Sequence, residues 1–323
     1  MTVEPLLHPP DKELADALDA FERGFTYPLG KDRRFRITHG DDYARFFRAI
    51  DADSGTTFVA LGKERQVLGT LGVAVRDLRF PDGQCRRAAY LGDLKTAPGR
   101  TRGRTLLRLG KDVTEWCLAH GAVVAYGIVM DGTAVLPPAY TGKLGIHSFQ
   151  PVSTLCVFRL PVKEVVTHAN PAVLQVSEGA LDECFARWST GAFAPRGGAP
   201  EMRSASAPAF LMNADETACG MLEDTRKAKR LIELGGDEMV AAHLSKFAYR
   251  DPAAGVRLLR TALAHCARER LAPALFVAVP AEDAPHFAAL FGDLEGVVQA
   301  GATIFGTYPA LVSNRWQIST SEI

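Results

Sequence analysis

Little in this 323-residue chain points toward a membrane, a nucleic acid or a metal. No apolar run approaches the roughly 20 residues that span a bilayer. Basic and acidic side chains number 37 each, so the formal net charge is zero. That balance argues against a protein that holds nucleic acid through phosphate contacts. The six cysteines, Cys85, Cys117, Cys156, Cys184, Cys219 and Cys266, show neither zinc-finger nor redox spacing. Cys117 and Cys266 fall on apolar helix faces and read as buried thiols. The eight histidines include no pair at metal-ligand spacing, and no structural metal is expected. Neither Gly-x-x-x-x-Gly-Lys-Ser/Thr nor Gly-x-Gly-x-x-Gly after a strand occurs. The stretch Met1-Thr2-Val3-Glu4-Pro5 lacks the basic start and apolar core of a signal peptide, so a cytoplasmic location is expected.

What is present centres on Tyr90–Val129, which reads strand, turn, helix, strand. Tyr90–Ala97 is apolar enough for a buried strand, and Ala122–Val129 for a second. Between them, Leu106, Leu109, Val113, Trp116 and Cys117 share one helical face, and Gly121 follows where a left-handed cap is cheap. The connecting turn, Pro98-Gly99-Arg100-Thr101-Arg102-Gly103-Arg104-Thr105, is basic. Gly103 lets the backbone approach a ligand. The helix start offers unpaired N–H groups and the positive end of a dipole. A diphosphate suits such a turn; a plain basic helix start with a turn glycine is the alternative.

The rest of the first half reads as a helix after Pro9-Pro10-Asp11, a strand at Arg34–Thr38 and a helix capped at Asp41-Asp42. A hairpin of Thr56–Leu61 and Gln66–Val75 follows, and Ser153–Leu160 forms a later strand. That order implies a mixed α/β or α+β layer fold. Thr190–Pro208, rich in Gly, Pro and Ser, reads as a surface loop or linker. Glu178–Trp188 reads as a helix, with strands at Ala209–Asn213, Glu238–Tyr249 and Ala274–Val279 and a helix opened by Gly255. The second half echoes the first: Leu106-Leu107-Arg108 matches Leu258-Leu259-Arg260, which sets Gly103 on Gly255 and Asp93 on Ser245.

With these residues on the page, the first half resembles the GNAT superfamily of acyl-CoA-dependent N-acyltransferases. Arg100, Gly103 and Thr105 stand at the positions of that family's pyrophosphate loop, Thr105 in place of a smaller residue. Tyr140, Lys143, Leu144, Gly145 and Ile146 resemble its tyrosine and Lys-Leu-Gly-Phe-like segment, with one extra residue after the tyrosine. The resemblance implies two GNAT-like domains, residues 1–167 catalytic and residues 168–323 degenerate, each a mixed, mostly antiparallel sheet flanked by helices. It implies acetyl-CoA or another acyl-CoA as co-substrate, without a metal. The pantetheine arm would lie along Leu94, Lys95 and Thr96, and the diphosphate on the turn from Arg100 through Thr101, Arg102, Gly103 and Arg104 to Thr105. An acetyl or other short acyl group would pass by direct attack to a small-molecule or peptide amine. Tyr140 would then be the acid for the thiolate and Asp93 the base, with His39 and His147 as alternatives. The chain would be a monomer or a homodimer. A non-catalytic CoA-binding scaffold and an aminoacyl-tRNA-dependent transferase are the alternatives on the same fold.

Overall fold

A computed structural model describes residues 1–29, 33–99, 102–162, 173–292, 294–313 and 315–323. In chain order the elements begin with β1 (Thr2–Pro5), α1 (Lys12–Glu22), β2 (Tyr27–Leu29), β3 (Arg33–Thr38), α2 (Arg45–Arg48), β4 (Thr56–Leu61), β5 (Val67–Arg79), β6 (Cys85–Thr96), α3 (Arg102–Ala119), β7 (Val124–Met130) and β8 (Phe149–Pro161). They continue with β9 (Val173–Gln175), α4 (Glu178–Trp188), β10 (Ala194–Pro195), α5 (Pro200–Arg203), β11 (Ala209–Asn213), β12 (Ala218–Glu223), β13 (Arg230–Glu233), β14 (Ala242–Tyr249), α6 (Pro252–Arg268), β15 (Ala274–Pro280), α7 (Ala284–Leu290) and β16 (Val298–Thr307).

Thirteen strands form one sheet in the order β1-β4-β5-β6-β7-β16-β8-β15-β14-β12-β11-β9, with β10 added beside β5. Among the described residues its pairings are antiparallel except β6–β7 and β14–β15. This is the expected mixed, mostly antiparallel sheet flanked by helices, and each parallel pair is joined by the crossover helix such pairs require. α3 lies on one face, where Leu109, Val113 and Cys117 pack on Leu71, Val73 and Ala89. α6 uses the same device in the second half, burying Leu258, Leu259, Leu263 and Cys266 against β8, β14 and β15. Burial pushes the Cys117 and Cys266 thiols up to about 12, as befits inert core groups.

Two strands cross between the halves. β16, from the second half, inserts between β7 and β8. β8, from the first half, pairs along its other edge with β15. A small second sheet, β13-β3-β2, also joins the halves.

The segment Thr190–Pro208 corrects its sequence reading as a surface loop. Ala192, Phe193 and Ala194 are buried, β10 pairs with β5, and Arg203 lies in the interior. Its glycines and prolines serve a chain that changes direction inside the protein. Phe193 stacks on Trp316 at 4.6 Å, and Trp316 is fully buried. Arg203 makes a two-pronged pair with Glu223 at 2.7 and 2.8 Å and reaches Glu322 at 3.2 Å. Arg76 meets the other oxygen of Glu322 at 2.6 Å. Two arginines and two glutamates thus close a neutral buried quartet that ties residues 316–323 to both halves.

Candidate active site

β6 and β7 run side by side only from Ala88 to Tyr90, opposite Val124 to Tyr126. Beyond that point they part. A Cβ at Gly127 would lie 2.6 Å from the Leu91 carbonyl oxygen, so glycine lets the strands pass closely where they diverge. From Gly92 to Thr96, β6 keeps β5 as its strand neighbour, and its parting from β7 leaves its other edge, the first cleft, without a strand partner among the described residues. The register against β5 slips between Thr70 and Gly72, and Asp93 sits in the slip with a left-handed φ of 57°. This is a β-bulge, which re-aims the backbone of one strand.

The start of α3 borders one side of the cleft. Gly103 and Arg104 are exposed there, and a Cβ on Gly103 would meet nothing within 4 Å. Arg100 and Thr101 lie outside the described residues, and Arg102 opens the helix. Thr105 is buried, with its methyl turned under the helix against Gly69 and its hydroxyl near Met1. Its bulk therefore points away from the exposed Gly103 and Arg104. Leu94 packs into the α3-side core, and Thr96 pairs with Gly69.

The opposite face carries a buried group of charges. Asp93 Oδ1 accepts from Lys95 Nζ at 2.8 Å, and Asp93 Oδ2 lies 3.0 Å from His39 Nε2. Glu22, at the end of α1, takes Lys95 Nζ at 2.9 Å, His39 Nδ1 at 2.8 Å and the Tyr43 hydroxyl at 2.9 Å. Burial would raise the Asp93 carboxyl, but Lys95 and then His39 outweigh it and hold it far below the ordinary carboxylate range. Burial likewise opposes the His39 imidazolium, and Asp93 and Glu22 overcome it and raise its pKa. With His39 protonated, the form its raised pKa favours, two anions and two cations balance. Glu22, His39 and Asp93 have the donor types of a metal site. Lys95 and the imidazolium already supply the positive charge there.

Asp93 is ion-paired to Lys95 and His39, which lowers its proton affinity and weighs against the base role expected from the sequence. Lys95 turns its side chain inward to these charges, which leaves the expected backbone contact with the pantetheine arm untouched. His39, an alternative base in the sequence, is committed to both carboxylates. Glu22 and Tyr43 were not singled out; they meet His39 and Asp93 only through the fold. Lys229 also approaches, its ammonium 4.7 Å from the centre of the Phe46 ring and donating to the Ile323 carbonyl oxygen. Burial lowers its pKa to about 8.

Tyr140 follows a helical turn at Pro137–Ala139 that packs beside β8. It is half-buried, and burial raises its phenol above the ordinary value. Ile146, from the same loop, covers Gly110 of α3, while His147 is exposed. The loop thus bridges β8 and the helix that borders the cleft.

Solved structures share this architecture. One of Saccharomyces cerevisiae N-myristoyltransferase with bound myristoyl-CoA superimposes with a TM-score of 0.59 over 92% of this chain and 76% of that one, at 11% identity. A second, also with myristoyl-CoA, gives 0.58 over 94% and 82%, at 13% identity. The chain has the N-myristoyltransferase fold. That fold is a doubled GNAT-like one, in agreement with the fold that the sequence resemblance implies. No family model matches the sequence, and no curated protein matches it.

The doubled N-myristoyltransferase fold lets the two clefts be compared directly. β14 and β15 pair only at Ala242–Leu275 and His243–Phe276 and then part, as β6 and β7 do. β14 also has a slipped register, with Lys246 left-handed at φ 45°. The bulge therefore sets Asp93 opposite Lys246, one residue beyond the Ser245 expected from the helix alignment. In the second cleft, residues 319–321 fill the gap. Lys246 N–H donates to Ser319 Oγ at 3.1 Å, Ser245 bonds Ser321 at 2.8 Å, and Thr320 donates to the Phe276 carbonyl at 3.3 Å. The start of α6 is closed as well. Asp251 caps it with its own carboxylate, and a Cβ on Gly255 would meet Phe287 at 2.9 Å and Phe247 at 3.1 Å.

Proposed function

We propose that the chain is an acyl-CoA-dependent N-acyltransferase that uses its first cleft and moves an acetyl or other short acyl group to an amine. The observation that carries this reading is the bulged β6, paired on one edge from Gly92 to Thr96, beside the start of α3, where Gly103 and Arg104 are exposed. The amides from Arg102 to Thr105 would hold the diphosphate, aided by the helix dipole. The open edge of β6 at Leu94–Thr96 would pair with the pantetheine arm. The bulge would turn the Asp93 N–H toward the thioester carbonyl oxygen, as the equivalent Lys246 N–H turns toward Ser319 Oγ. The amine would approach from the face of α1 and α2. Its nitrogen bonds to the thioester carbon, the oxygen gains negative charge, and the carbon–sulfur bond then breaks. An amide donor aimed at that oxygen is worth roughly a hundred- to a thousandfold in rate. The nitrogen would lose its proton to water, and Tyr140 would give one to the departing thiolate and regain it from solvent.

Calorimetric titration with acetyl-CoA tests the reading. One molecule binds per chain, because the second cleft is filled by residues 319–321 and the α6 start by Asp251. Gly103→Asp, which has open space for its side chain, weakens binding by about a hundredfold through charge repulsion at the helix start. Two sites per chain, or binding indifferent to Gly103→Asp, would contradict the assignment. Release of free CoA in the presence of an amine panel then separates an enzyme from a CoA-binding scaffold.

A short acyl group is favoured by what fills the interior beside the cleft. A Cβ on Gly72 would lie 1.8 Å from the Phe47 ring and one on Gly92 3.4 Å from it, so Phe47 fills the hollow these two glycines leave. Tyr90 and Tyr126 continue the packing, with ring centres 5.4 Å apart. Phe47→Ala is therefore expected to raise the preference for longer acyl-CoAs, read as relative kcat/KM across chain lengths. Its cost is about 3–5 kcal/mol of stability, as for other buried aromatic truncations. A chain-length preference unchanged by the cavity would place the acyl group elsewhere.

A further inference from the structure

We propose that Glu22, His39, Asp93 and Lys95 form a charge clamp that sets the bulge of β6, and that these residues are positioning residues for acyl transfer. The link to acyl transfer rests on the function proposed above; the clamp itself rests on geometry. Asp93 adopts a left-handed backbone, a conformation that a residue with a Cβ rarely takes. Three contacts hold it there. Lys95, two residues further along the same strand, reaches back across the bulge to Oδ1 at 2.8 Å. His39 meets Oδ2 at 3.0 Å. Thr70 Oγ1 donates to the Asp93 carbonyl at 3.2 Å, fixing the peptide from the β5 side. Glu22 and Tyr43 in turn fix Lys95 and His39 from the first helix and the segment after β3. The second half repeats the backbone shape with the charges reversed. Lys246 is left-handed, and Asp182 and Glu178 of α4 hold its ammonium at 2.8 and 3.7 Å. There the amide that results reaches an oxygen in the cleft, Ser319 Oγ.

The clamp has a pH limit. Glu22 from α1, Asp93 and Lys95 from β6, Tyr43 before α2, Tyr27 from β2 and Lys229 before β13 all face or influence this charge set. The His39 pKa is raised, so its contact with Asp93 is charged below that value and is lost as pH rises through it. The carboxylates stay ionised across that window.

Amide hydrogen exchange of the full-length protein, read on peptides spanning residues 88–97, tests the clamp without any assay of activity. Lys95→Met and His39→Gln should speed exchange there about tenfold while leaving α3 and β8 unchanged. Lys95→Arg should restore most of the protection. In the native chain, raising pH from about 6 to about 9 should loosen the same peptides after correction for intrinsic exchange, and the response should survive in Lys229→Met, which removes the other group that titrates in that window. This arm leaves the clamp residues themselves unchanged. Kinetically, kcat should fall about tenfold with KM for acetyl-CoA within about threefold. Unchanged exchange at residues 88–97 would overturn the clamp. Loosened exchange with unchanged kcat would overturn its role in positioning. Failure of the native chain to bind acetyl-CoA would instead remove the proposed function, and the exchange result would still decide the clamp.

Discussion

Residues 1–167 expressed alone should give no cooperative thermal transition. In that fragment β7 loses β16, its neighbour from Tyr126 to Met130. β8 loses partners on both edges, β16 along Phe149–Arg159 and β15 along Leu155–Pro161. Leu155, Val157, Phe158 and Leu160, all buried in the whole chain, would face water. Burying such a side chain contributes roughly 1.5–3 kcal/mol, so losing these four removes about the entire stability of an ordinary domain. The check is circular dichroism on heating, with the fragment of residues 168–323 added back. Recovery of a single transition on mixing supports the crossed strands, and a cooperative melt of the first fragment alone would refute them. The fragment boundary matches the two-unit reading of the sequence, which makes it a fair test of whether the units are separable.

Arg203→Met should cost about 3–5 kcal/mol, the usual penalty for removing one partner of a buried ion pair. It leaves Glu223 fully buried beside Ser321 and Glu322 with Arg76 alone. Urea unfolding should show a lower midpoint at an unchanged slope. Arg203→Met combined with Glu223→Leu should recover much of the loss, because no uncompensated charge remains. The acid side carries its own signature. Burial would raise the Glu322 carboxyl, but Arg76 and Arg203 outweigh burial and hold it below its ordinary 4.5. Its contribution is therefore present above that ordinary value and disappears as pH falls through the lowered one. Arg203→Met should shrink this pH-dependent part. A variant as stable as the native chain, with the same acid profile, would show that the quartet is not what fastens residues 316–323.

The sequence made α3 legible because its apolar face repeats at helical spacing and Gly121, at φ 78°, closes it. The flanking strands followed from composition alone, but the helix starts at Arg102, inside the stretch read from the sequence as a turn up to Thr105. The crossed strands were not legible. β8 and β16 are ordinary alternating runs, and nothing local records which of several similar strands each will meet. Asp93, Lys95 and His39 were each noticed for separate reasons, yet their meeting depends on α1 and on the segment after β3 folding over β6. The slip from Ser245 to Lys246 has an equally simple cause. Both strands carry the bulge, but the connection from it to the helix is one residue shorter in the second half, from Lys246 to Gly255 against Asp93 to Gly103, so aligning the helices misplaces the strand by one. Thr190–Pro208 misled because glycine and proline mark changes of direction, whether those occur on the surface or inside.

The placement of β16 also sets an order of events during synthesis. Its partners in β7 emerge from the ribosome long before it does, and about 170 residues separate them, a loop whose closure entropy grows only slowly with length. Until β16 arrives, one edge of β7 and the adjoining edge of β8 have no native partner. An unpaired apolar strand edge recruits other chains. The nascent first unit thus carries an unpaired strand edge until the second half is made, and slowing translation should raise its exposure to aggregation instead of relieving it.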